Sequence, residues 1–305
     1  MGLLSRNYFK PGPGVSKNER KKKGVFLYLD IVFRKFMKLM QANFLYTVIS
    51  IPFLYLSFQF LAPLVMAAIG INTSIKLEGY TEEQLMQMSA MLEVFFRMTI
   101  SLLIFNFIGF APISAAYAFV TRCFTRGEHA WLISDGKDMI KSNFKQSILL
   151  FVMDVVILFF ATNAIYFYRN LEMQNAGGMG NVFFFLRYIM YSVLAIFVFM
   201  HYYIYQIMVT YECKFKDLLK YSLIFALAKL PMTVILTVIC GGILVGGAVL
   251  INSNPFMYAL VFSIIGLTLT RYPIEFYVAR VIEKNIKAEK KKEDKKKARI
   301  SYIDE

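Results

Sequence analysis

The sequence is poor in the residues that build metal and redox centres. Its 305 residues include three cysteines, Cys123, Cys213 and Cys240, and two histidines, His129 and His201. The cysteines form no Cys-x-x-Cys pair or other metal-ligand spacing, so we interpret them as reduced structural residues. Two histidines far apart in the chain are too few for a histidine-based metal site. We therefore expect neither a metal nor a cofactor.

The sequence also lacks the short motifs of well-known enzyme classes. It contains no GxxxxGK[ST] phosphate loop, so the chain is not the ATPase of a transporter. It has no GxSxG turn and no HExxH helix. Serine, threonine and tyrosine are abundant, but none has the neighbouring base that an activated nucleophile requires. We predict that the protein is not an enzyme.

Acidic residues are scarce relative to basic ones, 20 against 34, which gives a net charge of +14. A basic surface can indicate nucleic-acid binding. Here the basic residues cluster in both tails and in alternate loops, whereas the opposite loops contain only Lys76, Arg97 and Arg169. Lysine and arginine mark cytoplasmic loops. We therefore predict cytoplasmic termini, no nucleic-acid partner, and attraction of the basic tails to anionic lipid.

Apolar residues dominate what remains. They make up 58% of the chain, and the mean hydropathy is +0.53, whereas soluble domains contain roughly 45–50% apolar residues. The excess lies in runs of about 20 residues, the length that crosses a bilayer as a helix. We predict an all-α polytopic membrane protein in which residues 25–280 form one six-span domain, between a basic tail, 1–24, and a charged tail, 281–305. The predicted spans lie near residues 44–69, 99–121, 147–168, 183–208, 221–250 and 256–276.

The basic segments that precede three of the spans have helical periodicity. Polar residues share one face of the first segment: Asp30, Arg34, Lys38 and Gln41. Such a basic amphipathic helix is typical of the membrane interface. The alternative is that the first span simply continues into water. Similar segments begin near Trp131 and near Cys213, so we predict three cytoplasmic interfacial helices.

These segments suggest an internal repeat. Placing Leu39 over Leu218 also brings Pro52 over Pro231, and placing Asn43 over Asn143 gives a middle copy without the proline. Membrane proteins are often built from repeats. Our hypothesis is three units, each an interfacial helix followed by two spans.

Ionisable residues inside the spans are the best candidates for a functional site, because each is costly in lipid. The candidate intramembrane polar site contains five residues: Asp154, His201, Lys229, Arg271 and Glu275. The short side chain of Asp154 needs a partner or a proton, and we consider Lys229 its first candidate partner. Together the five could line a polar cavity open to the cytoplasm.

Each candidate has an alternative interpretation. Arg271 and Glu275 are spaced to pair on one helix face, but we favour an interfacial position in which both side chains snorkel to water. We favour His201 as a hydrogen-bonded packing residue over a proton relay. Lys229 either pairs inside the membrane or marks an elbow at its surface, with Pro231 in the first turn of the true span.

Two glycines, Gly242 and Gly246, have the GxxxG spacing in the fifth predicted span. This spacing indicates close helix packing or, equally, a dimer face. An oligomer is therefore left open.

The block GFAPISAAYAFVTRCFTRGEHAWLISDGKDMIKSNFKQSILL, residues 109–150, resembles the central signature of the YesL-like family of bacterial six-span membrane proteins of unknown activity. The start KPGPGV, residues 10–15, is similar to the amino end of that family. The resemblance implies a bacterial cytoplasmic membrane and an accessory role beside carbohydrate uptake, with a sugar ABC permease or a membrane sensor as partner. Gly136 departs from the family, whose members often carry an aromatic residue there.

These observations give two expectations of function. The first is a non-enzymatic accessory or regulatory membrane component associated with carbohydrate uptake. The second is a small-solute transporter or permease that uses the polar layer at Asp154 and Lys229.

Overall fold

A computed structural model describes residues 24–175, 177–250 and 254–301, and these residues form helices joined by turns and loops, without a β-strand. The basic tail up to residue 23, with its KPGPGV segment, lies outside the described residues. The α-helices are α1 (Gly24–Ile49), α2 (Ile51–Leu56), α3 (Ala62–Ile69), α4 (Glu82–Phe107), α5 (Ala111–Arg126), α6 (Ser134–Gln174), α7 (Gly178–Met208), α8 (Phe215–Ala228), α9 (Leu230–Leu250), α10 (Pro255–Val261), α11 (Leu267–Thr270) and α12 (Tyr272–Ser301). Two π-helical segments, Ser57–Leu61 and Phe262–Gly266, join α2 to α3 and α10 to α11.

Six helical stretches of the described chain are long and apolar enough to cross a membrane, which confirms an all-helical protein with six candidate spans. They are Ile51–Ile69, Glu82–Phe107, Ser134–Gln174, Gly178–Met208, Leu230–Leu250 and Phe256–Ile286. These six stretches indicate a multi-pass membrane protein.

The second span differs from its predicted position at residues 99–121. Helix α4 ends at Phe107 and α5 begins at Ala111, so the predicted segment contains a break. At the break Gly109 has a φ of +78°, and Pro112 occupies the first turn of α5. The apolar run continues through the break, and hydropathy alone therefore joined two helices into one span.

Two further breaks occur where the repeat hypothesis places equivalent residues. Ser50, with φ −88° and ψ 4°, ends α1 just before Pro52 in α2. Lys229, with φ −116° and ψ 19°, ends α8 just before Pro231 in α9. The elbow alternative for Lys229 thus matches the backbone, and the fifth span begins at residue 230 rather than 221.

The middle copy has no such break. Helix α6 runs uninterrupted for 41 residues, which is about 60 Å at 1.5 Å per residue and about twice the thickness of a bilayer's hydrocarbon. The basic segment around Lys137 and the third span are therefore one helix, not the two helices that the repeat predicts. The absence of a proline at this position explains the continuity.

Helix α5 lies at the centre of the bundle. It packs against α1, α6, α7 and α12, and most of its side chains are buried. Three alanines, Ala111, Ala115 and Ala118, face the cluster that also contains Tyr203 and Ile207 of α7. Small side chains let helices approach closely in membranes, so α5 brings the polar residues of α1, α7 and α12 within reach of one another.

The predicted packing role of Gly242 and Gly246 is not met within the described chain. Both glycines are exposed, and a Cβ added at either would meet nothing within 4 Å. The buried face of α9 instead carries Cys240, Leu244 and Ala248. Contact with a second copy of the chain remains the open alternative for the GxxxG pair.

We expect Gly109→Ala to destabilise the protein much more than Gly127→Ala. Both glycines have a φ near +77°, and this conformation costs an alanine roughly 1–2 kcal/mol. At Gly109 a Cβ would also collide with Ser114 Oγ and lie 2.6 Å from Arg271 Nη1, whereas at Gly127 it meets nothing within 4 Å. The extra crowding adds about 1–3 kcal/mol.

Thermal unfolding of both variants in detergent checks this expectation. Equal losses of stability in the two variants would show that the close approach of Gly109 to Arg271 does not affect stability.

Candidate functional site

The first cluster of polar residues surrounds the buried guanidinium of Arg271, between α11 and α12. Its Nη1 donates to Tyr46 Oη at 2.6 Å and to the carbonyl of Phe105 at 3.3 Å. That carbonyl lies in the last turn of α4. In a regular α-helix it would accept from the N–H of Gly109, but this N–H bonds to the carbonyl of Ile104. The break in the helix therefore supplies an acceptor that the arginine uses.

Glu275, one turn along α12, compensates the charge of Arg271. Its Oε1 lies 3.5 Å from Arg271 Nε, and its Oε2 accepts a hydrogen bond of 2.6 Å from Gln206 Nε2. The rings of Tyr46 and Tyr117 face the guanidinium at 4.9 and 5.3 Å from their centroids. A buried ion pair is tolerated only when such additional partners satisfy it.

The interfacial position that the sequence favours for Arg271 and Glu275 is not the one observed. Their side chains are only 4% and 5% exposed, and they are surrounded by protein. Neither side chain snorkels to a bilayer surface. The tyrosines and Gln206 provide in the interior the polar contacts that water would provide at the surface.

A second layer of amides and hydroxyls surrounds this ion pair. Tyr117 Oη donates to Asn43 Oδ1 at 2.9 Å. Asn43 Nδ2 donates to Thr268 Oγ1 at 2.7 Å and to the carbonyl of Ile264, within the second π segment, at 3.1 Å. We call the whole set the polar network: Asn43, Tyr46, Ser114, Tyr117, Gln206, Thr268, Arg271 and Glu275.

Asp154 and His201 form a separate buried pair between α6 and α7. Asp154 Oδ1 lies 2.9 Å from His201 Nε2, and His201 Nδ1 lies 2.9 Å from the carbonyl of Phe197. A carbonyl only accepts, so Nδ1 carries a proton, and one further proton lies between Nε2 and Oδ1. Wherever that proton resides, the pair as a whole has no net charge, which makes a short carboxyl group tolerable at this depth.

The Asp154–Lys229 pair expected from the sequence is not formed. Lys229 lies at the elbow between α8 and α9, where it is exposed, and the carboxyl group of Asp154 is paired with His201. The sequence correctly indicates that Asp154 needs a partner. The sequence gives the depth of Asp154 along its span but not the direction in which its side chain faces. The span positions alone therefore could not identify its partner.

The space between the two clusters is small. A void of about 10 Å³ is lined by Asn106, His201, Tyr205, Arg271 and Glu275 among others. A single water molecule needs a volume of about this size. In this conformation the void has no room for an organic solute.

Three buried polar atoms near these clusters have no protein partner: Asn106 Nδ2, Gln206 Oε1 and Asp154 Oδ2. Unsatisfied buried groups of this kind are uncommon in native proteins. Asn106 Nδ2 lacks an acceptor, Gln206 Oε1 lacks a donor, and Asp154 Oδ2 lacks a donor or a proton. Sequence reasoning missed Asn106 and Gln206, although each is a lone amide within an apolar run, and this pattern is itself a usable signal.

The cysteines give no sign of reactivity. Cys123, Cys213 and Cys240 are all free thiols. Burial, and to a smaller extent the Asp217 carboxylate, raises the pKa of the Cys213 thiol above its usual value, which disfavours the nucleophilic thiolate. Within the described residues no three histidine, cysteine or acidic side chains converge as metal ligands.

Comparisons with known proteins add no identity. The chain matches no protein-family model, no curated protein and no solved structure. The resemblance to the YesL-like family therefore stays a prediction.

We expect His201→Phe to destabilise the protein by about 3–5 kcal/mol, because it leaves a carboxyl group buried without a partner. Asp154→Asn should cost about 1 kcal/mol, since the amide can donate to Nε2 of a neutral His201. The double variant Asp154→Leu/His201→Phe should recover part of the loss, because it removes both polar groups together.

Thermal unfolding in detergent measures all three. If His201→Phe is tolerated as well as Asp154→Asn, the pair does not hold α6 and α7 together.

Proposed function

We propose that the protein is a non-enzymatic membrane component that assists or regulates another membrane protein. The observation that supports this proposal most strongly is the closure of its ionisable core. Asp154 is matched by His201 and Arg271 by Glu275, and the void among these groups has a volume of only about 10 Å³. Charges paired in this way favour one packing of the helices, and the void among them is too small for an organic solute.

The engagement of His201 also supports a role without catalysis. A general base needs a free nitrogen within reach of a substrate proton. Both ring nitrogens of His201 are already bonded, and the side chain is fully buried. The same holds for Glu275, whose two oxygens are engaged by Arg271 and Gln206.

The orientation and the partner are further parts of the proposal. The positive-inside pattern favours both termini in the cytoplasm. The amphipathic segments in α1, in the first part of α6 and in α8 would then lie near the cytoplasmic interface. The resemblance stated above favours a bacterial cytoplasmic membrane and a sugar ABC permease or membrane sensor as the assisted protein.

A transporter is the second candidate, and the break between α4 and α5 is the observation that favours it. Discontinuous helices near buried charges are a recurring feature of transporters. The unpartnered Asp154 Oδ2 would be the place where a coupling proton could bind. The polar layer would involve His201 and Arg271 rather than Lys229.

Reconstitution of the protein alone into liposomes separates the two candidates. We expect no uptake of labelled sugars and no proton flux above protein-free liposomes, and no effect of Asp154→Asn. Asp154→Asn is a suitable probe because it keeps a hydrogen bond to His201. Co-reconstitution with a sugar ABC permease from the same bacterium should change the transport rate of that permease.

The opposite pattern would overturn the proposal. Solute or proton flux by the wild-type protein alone, lost in Asp154→Asn, would identify a transporter. An unchanged permease rate, together with no co-purification of a permease or sensor, would remove the accessory role.

A further inference from the structure

A groove separates α1 from the first part of α6, and α5 forms its floor. Its volume is about 340 Å³, within the range of small-molecule sites. Helix α1 contributes Ala42, Leu45 and Ile49 to its walls, and α5 contributes Ile113, Ala116 and Val120. These residues are spaced three or four apart, so each helix presents one continuous apolar face to the groove.

The third wall is formed by the first part of α6 and the residues just before it, and it differs in one respect. It contains Ile133, Gly136 and Ile140, together with Lys137. Lys137 is the only charged residue among the described residues that line the groove, and its side chain is exposed. The groove is thus an apolar slot with a single cation at its mouth.

The two tyrosines in the groove add no polar group to its interior. Tyr46 Oη is engaged by Arg271 at 2.6 Å and by Ser114 at 2.9 Å. Tyr117 Oη donates to Asn43 at 2.9 Å. Both hydroxyl groups are committed to the polar network, so the rings contribute carbon surface to the groove.

The surroundings of the mouth resemble a membrane interface. Trp131 and Ile133, on either side of Leu132, are 68% and 74% exposed, and tryptophan is enriched at the level of the lipid headgroups. Lys141, one turn beyond Lys137, is also exposed. The carboxylate of Asp135 is engaged by the N–H of Trp131 at 2.8 Å, and Asp138 is not among the groove residues.

We propose that this groove binds one acyl chain of an anionic phospholipid, with the headgroup phosphate at Lys137. An apolar slot with one cation at its mouth is complementary to an amphiphile with one negative headgroup. Gly136 has no side chain, which leaves the slot open at this position. A Cβ there would meet only Ala116 Cβ within 4 Å, at 3.9 Å, so the space beside Gly136 is empty. The site is independent of the proposed accessory role.

Trp131, the only tryptophan of the chain, provides a direct readout beside the groove. Full-length protein would be placed in phosphatidylcholine vesicles with increasing fractions of brominated phosphatidylglycerol, whose bromine atoms quench tryptophan. We expect quenching that saturates at a low fraction of the anionic lipid. Brominated phosphatidylcholine in unlabelled phosphatidylglycerol vesicles should quench only in proportion to its fraction.

Two matched pairs of variants locate the site. Lys137→Gln should weaken the saturable quenching about fivefold, which corresponds to about 1 kcal/mol per lysine near a membrane surface. Lys141→Gln removes the same charge one turn away and should leave the quenching unchanged. Gly136→Phe should fill the slot and abolish saturation, whereas Gly136→Ala should preserve it.

Several results would overturn the proposal. Quenching strictly proportional to lipid fraction would show ordinary boundary lipid only. Equal effects of Lys137→Gln and Lys141→Gln would show non-specific charge attraction. A change of oligomeric state in Gly136→Phe would show that the groove contacts a second copy of the chain. If Gly136→Phe does not fold, the two lysine variants decide the question alone.

Discussion

The guanidinium of Arg271 is a positive charge held away from water, and much of the architecture follows from the need to satisfy it. It requires an acceptor, which the broken end of α4 supplies through the carbonyl of Phe105. It requires a counter-charge, which Glu275 supplies from one turn away. It requires polarisable surface, which tyrosines of α1, α5 and α7 supply. Four helices, α1, α4, α5 and α7, thereby contact this one side chain. Helix α5 packs against both α1 and α7 and so positions them around it.

Hydropathy and proline placement predicted much of this fold. Runs of apolar residues gave the number of candidate spans. The elbow, one of two alternatives for Lys229, matches the break before Pro231, and a similar break at Ser50 precedes its counterpart Pro52. The second span was misplaced because an apolar run carries no signal of a break. A glycine followed closely by Pro112 is the local pattern that could have revealed it.

The candidate site was less accessible to sequence reasoning. Composition shows that an ionisable residue inside an apolar run needs a partner, and Asp154, His201, Arg271 and Glu275 were all identified in this way. Partner choice depends on the rotation of each helix about its axis and on the packing of distant segments. These quantities follow from the tertiary structure, so the pairing of Asp154 with His201 and the hydrogen-bond partners of Asn43 and Gln206 became visible only there.

The two neutral pairs differ in one way that affects how the protein enters the membrane. Arg271 and Glu275 lie on a single span, so the sixth span carries its own neutralised pair when it leaves the translocon. Asp154 and His201 lie on consecutive spans, and the carboxyl group has no partner until the following helix arrives. The third and fourth spans are therefore expected to enter the lipid together as a hairpin, because transferring the third alone would place an unpaired Asp154 in hydrocarbon.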